Sequence, residues 1–163
     1  MALHTGRRVD GRQYTLVIDK SWPDADGNPM VASFRKPFRG GPAIRVPPSP
    51  KEWRITPPAS GTSTPLVVDF GRSMNYALLQ RMLKVTGPRG STVAGTIAVA
   101  RNESEWRFTP GAAWTAGAYQ LIVDKDLEDL AGNKIDQPFD IDVFQQVTER
   151  ITTTTVPVPF TVR

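Results

Sequence analysis

The sequence has no cysteine and a single histidine, His4, among its 163 residues. The absence of cysteine excludes a disulfide framework and thiolate chemistry. No apolar run approaches the roughly 18 residues that a membrane-spanning helix needs. The N-terminal stretch MALHTGRRVDGRQY also lacks the apolar segment of a signal peptide. We therefore expect no membrane insertion, and no export signal in the chain as written.

Concentrated positive charge is also lacking, although the net charge is +4. The arginines and lysines are dispersed, whereas a nucleic-acid-binding protein usually collects them on one face. The stretch FRKPFRGG, residues 34 to 41, interleaves basic and aromatic residues, but a strand running into a linker explains it more simply than a groove for single strands. We expect no nucleic-acid partner.

Turn-forming residues are abundant, with 13 glycines and 15 prolines, which favours an all-β chain of short strands. One helical turn is predicted in MNYALLQRML, residues 74 to 83, where it would cross between sheets. Trp53 and Trp106 alternate with polar residues and are expected to be structural. The seven candidate strands after residue 51 are EWRIT (52 to 56), PLVVDF (65 to 70), LKVT (83 to 86), STVAGTIAVA (91 to 100), EWRFT (105 to 109), AYQLIVD (118 to 124) and PFDIDVF (138 to 144).

An internal repeat relates YTLVIDKSWPDADGN, which begins at Tyr14, to YQLIVDKDLEDLAGN, which begins at Tyr119. A looser match places Pro37 and Phe38 on Pro138 and Phe139. Residues 11 to 39 and 116 to 143 are therefore predicted to be two copies of one strand, turn, strand unit. The shared Gly and Asn suit a tight reversal, since Gly adopts positive φ without steric cost and Asn tolerates it.

The predicted organisation has four parts. Residues 1 to 39 are a truncated copy, 40 to 51 a proline- and glycine-rich linker, 52 to 146 a complete domain, and 147 to 163 a β-prone tail. A two-stranded unit is marginal alone, so either the chain continues a longer protein, or the hairpin packs on the second domain, or the tail completes it. Pro157 and Pro159 restrict the tail to an edge strand. We expect the tail to pair with the N-terminal hairpin.

Several short motifs occur in one order along residues 52 to 145. Their residues are Pro58, Gly61, Phe70, Met74, Thr109, Pro110, Gly117, Tyr119, Asp129, Ala131, Gly132 and Asn133. This ordered set resembles the motifs of the bacterial Ig-like domains first described in surface-layer proteins. The resemblance implies an Ig-like antiparallel β-sandwich of about seven strands, and residues 11 to 39 resemble the last third of another such domain. Tyr119 would then form a tyrosine corner, with its hydroxyl bonded to backbone upstream.

This resemblance implies a non-catalytic structural, spacer or protein-interaction module of a larger bacterial protein. Such modules belong to exported or envelope-associated proteins, in the periplasm, in the medium or at the cell surface, and their partners are other domains or envelope proteins. The alternative is an accessory carbohydrate-binding module of an envelope enzyme. It would use exposed aromatic side chains, and Trp22 and Trp114 are the candidates because both lie among turn residues.

Two acidic turns raise the question of calcium. Neither fits an EF-hand loop. The first turn has Pro29 at the glycine position and Arg35 at the position of the bidentate glutamate, and the second has Asp129 and Ile135 at these two positions. An irregular site formed by Asp124, Asp126 and Asp129 stays open beside the simpler interpretation as a plain turn.

No catalytic motif has the required spacing. GRSMN, residues 71 to 75, is not a nucleophile elbow, and GPRGST, residues 87 to 92, lacks the lysine of a phosphate loop. A pair of carboxylates spaced for glycoside hydrolysis stays open on sequence alone. We predict that the chain is not an enzyme and needs no cofactor.

Overall fold

The structure, a computed structural model, describes residues 11 to 137 and 154 to 163 and divides the chain into two units, Met1–Ile44 and Arg45–Arg163. The boundary falls inside the segment expected to be a linker. Strands dominate both units, and all strand pairs are antiparallel, which confirms the all-β class.

In the N-terminal unit, β1 (Gln13–Ile18) and β2 (Phe34–Arg39) form an antiparallel hairpin. Tyr14 lies opposite Phe38, and their rings stack with centroids 5.6 Å apart. Successive side chains of a strand point to opposite faces, so Tyr14, Leu16 and Ile18 share one face of the hairpin.

The C-terminal unit contains two sheets. One consists of β3 (Arg54–Thr56), β4 (Leu66–Asp69), β6 (Gly95–Ala100) and β7 (Glu105–Pro110), in the order β3-β4-β7-β6. The other consists of β5 (Leu83–Thr86), β8 (Gly117–Asp124) and β9 (Thr155–Val162), in the order β5-β8-β9. A 3-10 turn, Pro50–Glu52, precedes β3.

Side chains from both sheets fill one hydrophobic core. Along β8, Tyr119, Leu121 and Val123 are buried and alternate with more exposed residues, because successive side chains of a strand point to opposite faces. Trp53 and Trp106 are also buried, which confirms their structural role. Other buried members of the core are Leu66, Val68, Phe70, Met74, Leu79, Leu83, Val85, Phe108, Trp114, Leu127, Ile135, Phe160 and Val162.

The predicted helical turn is α1 (Tyr76–Leu79), which follows β4 and precedes β5 and so lies where the chain passes from one sheet to the other. Asn75 caps its N-terminus, since Asn75 Oδ1 accepts from Ala77 N at 3.1 Å and from Leu78 N at 3.3 Å. This single helical turn connects β4 of the four-stranded sheet to β5 of the three-stranded sheet.

The predicted strand over residues 91 to 100 is two segments. Val93 N donates to Val85 O of β5 at 2.8 Å, whereas β6 begins at Gly95 and pairs with β7 in the other sheet. The change of sheet requires glycine, because a Cβ on Gly95 would lie 2.4 Å from Thr109 O and 2.5 Å from Phe108 Cζ.

The expected pairing of the C-terminal tail is wrong. β9 pairs with β8 along its whole length, from Gly117 opposite Val162 to Asp124 opposite Thr155, and does not join the N-terminal hairpin. β9 lies at the edge of its sheet, as Pro157 and Pro159 require. The predicted strand PFDIDVF, with Pro138 and Phe139, lies outside the described residues.

Candidate functional site

The turn at residues 124 to 135 is built around the carboxylate of Asp129, which is 3% exposed. Asp129 Oδ1 accepts from the backbone N–H groups of Ala131 at 2.9 Å and Asn133 at 3.0 Å, and Oδ2 accepts from Asn133 Nδ2 at 2.9 Å. Gly132 lies between the two backbone donors with φ of 83°, a conformation that costs glycine little. One side chain thus closes the turn.

Neighbouring segments of the C-terminal unit hold this turn in place. Arg72 Nη1 lies 3.4 Å from Asp129 Oδ2 and donates to Val46 O at 2.6 Å. Asn75 N donates to Glu128 O at 2.9 Å. The buried carboxylate of Asp129 therefore has a guanidinium and amide donors around it, as a buried charge requires.

The turn at residues 19 to 30 has the same internal bonds. Asp24 Oδ1 accepts from Asp26 N and Asn28 N, each at 2.9 Å, and Gly27 has φ of 85°. The bond from Asn28 N–H holds the pKa of Asp24 below its ordinary value. Asp24 and Asn28 are exposed, whereas Asp129 and Asn133 are buried.

Backbone bonds farther from the two carboxylates correspond as well. Each of three further backbone hydrogen bonds of the first turn has a counterpart between the equivalent residues of the second turn. The matching pairs are Trp22 N to Asp19 O (3.0 Å) with Leu127 N to Asp124 O (3.1 Å), Gly27 N to Asp24 O (3.1 Å) with Gly132 N to Asp129 O (3.1 Å), and Met30 N to Lys20 O (3.0 Å) with Ile135 N to Lys125 O (3.3 Å).

The strands that flank the turns correspond in the same way. Tyr119 lies opposite Phe160 with ring centroids 5.5 Å apart and an interplanar angle of 22°, while Tyr14 and Phe38 stack at 5.6 Å and 19°. Pro159 precedes Phe160 as Pro37 precedes Phe38. β9 therefore has the register and ring stacking of β2, whereas Pro138 and Phe139, to which the sequence matched Pro37 and Phe38, lie outside the described residues.

The two hairpins differ in what covers them. Leu121 is 0% exposed and Leu16 is 49% exposed at the equivalent position. Leu127 is 0% exposed, and Trp22, which occupies its place in the first turn, is 66% exposed. The same hydrogen-bond pattern, strand register and ring stacking therefore occur once in a hydrophobic core and once at an exposed surface.

The three calcium candidates are engaged within their turn. Asp124 Oδ1 accepts from Asp126 N at 3.0 Å. Asp126 Oδ1 accepts from Lys134 Nζ at 2.7 Å, and this bond raises the pKa of the Lys134 ammonium. Asp129 is occupied by the bonds that close the turn. Across residues 11 to 137 and 154 to 163, no three His, Cys, Asp or Glu side chains are grouped to hold a metal ion.

The two aromatic candidates lie in different surroundings. Trp114 is 3% exposed, its Nε1 donates to Thr64 O at 2.8 Å, and its ring meets that of Tyr119 edge-on at 5.3 Å. The Tyr119 hydroxyl donates to Thr115 O at 3.0 Å, which confirms the predicted bond to upstream backbone. Of the two tryptophans, Trp22 alone is exposed to a ligand in solution.

The buried acid Glu105 is a structural residue. Its carboxylate lies 2.6 Å from Arg107 Nε and 3.2 Å from Arg101 Nε, so each oxygen has a cation. His4, the single histidine, lies outside the described residues.

Comparisons with known proteins add no identity: no family model, no curated protein and no solved structure matches the chain. Among the described residues, no helix has both the length and the apolar character needed to cross a membrane.

Proposed function

We propose that the C-terminal unit is an Ig-like β-sandwich and that the chain serves as a non-catalytic structural, spacer or protein-interaction module of a larger bacterial protein, exported or attached to the envelope. One observation supports this most directly. The hairpin of the N-terminal unit has the hydrogen bonds, register and stacked rings of the β8–β9 hairpin. Recurrence of one substructure along a chain is typical of proteins assembled from tandem modules.

The uses of the motif residues also support a structural role. Asp129 and Asn133 close a turn, Tyr119 fixes the start of β8, and Trp106 fills the core with its Nε1 donating to Leu79 O at 3.2 Å. Each of these side chains is satisfied by the fold itself, so none needs a substrate or a cofactor to explain its presence.

A direct test has two parts. The C-terminal unit should unfold in one cooperative transition, with far-ultraviolet circular dichroism and tryptophan fluorescence changing together. Antibodies against this unit should find the protein in the envelope or medium of the cells that produce it. Retention in the cytosol would contradict the proposed location, and separate transitions for the two probes would contradict a single sandwich core.

Carbohydrate binding is the second candidate, and the exposure of Trp22 is the observation that favours it. The indole is 66% exposed, as a sugar-stacking platform requires. Its structural counterpart is the buried Leu127, which supports a core role for Trp22 in a completed domain. Binding to insoluble polysaccharides should therefore be absent; retention of the wild-type chain, abolished by Trp22→Ala and kept by Tyr76→Ala, would favour the carbohydrate module instead.

A further inference from the structure

The N-terminal hairpin has one face made of the side chains that its counterpart buries. This hairpin face consists of Tyr14, Leu16 and Ile18 of β1, with Phe34, Lys36 and Phe38 directly opposite on β2. Paired residues of antiparallel strands lie on the same side of a sheet. The equivalent residues of the C-terminal unit, which are all part of its core or packed against it, are Tyr119, Leu121, Val123, Val156, Val158 and Phe160.

The backbone of the counterpart also has a neighbour that β1 lacks. β8 pairs with β5 over Leu83–Thr86, in addition to its pairing with β9. In the described part of the chain, β1 pairs with β2 only. The equivalent edge of β1 spans residues 15 to 18 and pairs with no other described strand. A strand edge next to an apolar face is a template for another strand.

The turn of the counterpart is held by a loop that follows β4. Asn75 N donates to Glu128 O at 2.9 Å, and Leu130 N donates to Ser73 O at 3.4 Å. Arg72 supplies a cation to Asp129. In the described part of the chain, the contacts named here therefore come from β5 and from the loop after β4, both of which lie between residues 50 and 116.

We propose that the hairpin face is an interaction surface for a five-stranded antiparallel unit with the chemistry of residues 50 to 116, to which the hairpin supplies the last two strands. This inference rests on the proposed Ig-like function. The partner brings a strand that pairs with β1, as LKVT pairs with β8, and an apolar layer that covers Leu16. The C-terminal unit of a second copy is not this partner, because its own β8 and β9 occupy the place.

At two positions the hairpins carry different residues, and these residues determine which side chains the partner must accommodate. Trp22 stands where the C-terminal unit has Leu127, so the partner has room for an indole beside the turn. Lys36 stands where the C-terminal unit has Val158, a partly buried position at the margin of the core. A lysine there can lay its methylene chain along the apolar layer and keep its ammonium in water.

The test is an exchange of hairpins within the full chain. Residues 117 to 163 are replaced by a second copy of residues 12 to 44, which keeps the natural order of five strands followed by a hairpin. If the hairpin face fits this class of partner, the exchanged chain retains one cooperative unfolding transition with tryptophan fluorescence of a buried indole. A second version carries Trp22→Leu and Lys36→Val in the grafted copy, which restores the side-chain sizes of the present core.

Matched variants of the grafted copy identify the face that docks. Leu16→Asp should abolish the cooperative transition, because position 16 would lie in the core, whereas Thr15→Asp should preserve it, because Thr15 and its counterpart Gln120 are both exposed. The inference is overturned if neither exchanged version shows a cooperative transition. It is also overturned if Leu16→Asp and Thr15→Asp have the same effect on that transition. The wild-type chain, measured in parallel, separates this failure from failure of the proposed sandwich.

Discussion

The β1–β2 and β8–β9 hairpins have the same turn and the same stacked Tyr–Phe pair but differ in what surrounds them. Asp24 and Asp129 each accept backbone N–H groups two and four residues ahead, and in both turns the intervening glycine has positive φ. Burial differs completely, since Asp129 is 3% exposed and Asp24 is exposed. The turn is therefore determined by about a dozen residues of local sequence, and burial is added by the rest of the unit.

The difference also separates two sources of stability. In the β8–β9 hairpin, apolar burial contributes about 25 cal/mol for each Å² removed from water, and the buried charge of Asp129 is tied to its partners. Among the described residues, the β1–β2 hairpin forms a two-stranded sheet whose Leu16 and Phe34 are half exposed, and a two-stranded hairpin is marginally stable in water. We therefore expect the same substitution at equivalent positions of the two hairpins to lower the free energy of unfolding by different amounts.

The largest expected difference is between Leu121→Ala and Leu16→Ala. Leu121 is 0% exposed, so its truncation leaves a cavity and should lower the free energy of unfolding of the C-terminal unit by about 2 to 5 kcal/mol. Leu16 is 49% exposed, and its truncation should change that free energy by less than about 0.5 kcal/mol. Chemical denaturation followed by tryptophan fluorescence measures both.

Gln120→Ala is the control for β8, since Gln120 lies next to Leu121 and is exposed. Gln120→Ala should change the free energy of unfolding as little as Leu16→Ala does. Equal destabilisation by Leu16→Ala and Leu121→Ala would mean that the two faces are equally covered, and the comparison between the hairpins would fail.

The next largest effect is expected at the carboxylate of the buried turn. Asp129→Ala removes the acceptor of Ala131 N, Asn133 N and Asn133 Nδ2 and leaves Arg72 without its anion. A buried donor without an acceptor costs about 1 to 3 kcal/mol, and both Asn133 donors are buried, so a loss of at least about 2 kcal/mol is expected for the C-terminal unit. Urea denaturation of the variant measures this loss.

Asp24→Ala is the matched substitution in the exposed turn. It should leave the unfolding transition of the C-terminal unit unchanged, because water replaces the lost acceptor at an exposed site. It should nevertheless remove the protection of the Asn28 amide from hydrogen exchange. A stable Asn28 amide in this variant would show that the carboxylate does not hold the turn.

The sequence predicted what depends on neighbouring residues. The candidate strands LKVT and AYQLIVD coincide with β5 and β8, and Gly-Asn indicated the turn, because strand and turn preferences depend on side chains a few positions apart. The hydroxyl bond of Tyr119 to Thr115 is likewise local, spanning four residues.

Features that depend on distant contacts were not predictable in this way. β8 pairs with β9, which begins at Thr155, and this long-range pairing was not predicted; the Pro-Phe pair at residues 138 and 139, which the sequence matched to that of β2, lies outside the described residues. Trp22 and Trp114 both lie among turn residues, but Trp114 is buried because its ring packs against Phe108, Tyr119 and Phe160 of distant strands. Thr64 O accepts from its indole N–H. The break at Gly95 depends on Phe108 and Thr109, which lie on another strand.

The smallest expected effect is a pH dependence confined to the exposed turn. Bonds from Ser21 N–H and Asn28 N–H lower the pKa of Asp19 and of Asp24, respectively, from the ordinary value of 3.8. A carboxylate whose pKa is lower in the folded turn stabilises that turn fully above pH 3.8, and the contribution disappears as the pH falls through the lowered pKa. Between pH 5 and 8, roughly the range in which proteins are most stable, the turn should therefore not respond to pH.

Nuclear magnetic resonance provides the measurement, by following the amide of Asn28 and the carboxyl carbon of Asp24 from neutral pH downwards. Both should titrate together with a midpoint below 3.8, because the Asn28 N–H donates to the carboxylate that is being protonated. In Asp24→Asn the Asn28 amide should lose this titration, while the carboxyl carbon of Asp19 should keep its own. A midpoint for Asp24 at or above 3.8 would mean that the bond from Asn28 contributes nothing to the exposed turn, and the correspondence with Asp129 would then hold in geometry alone.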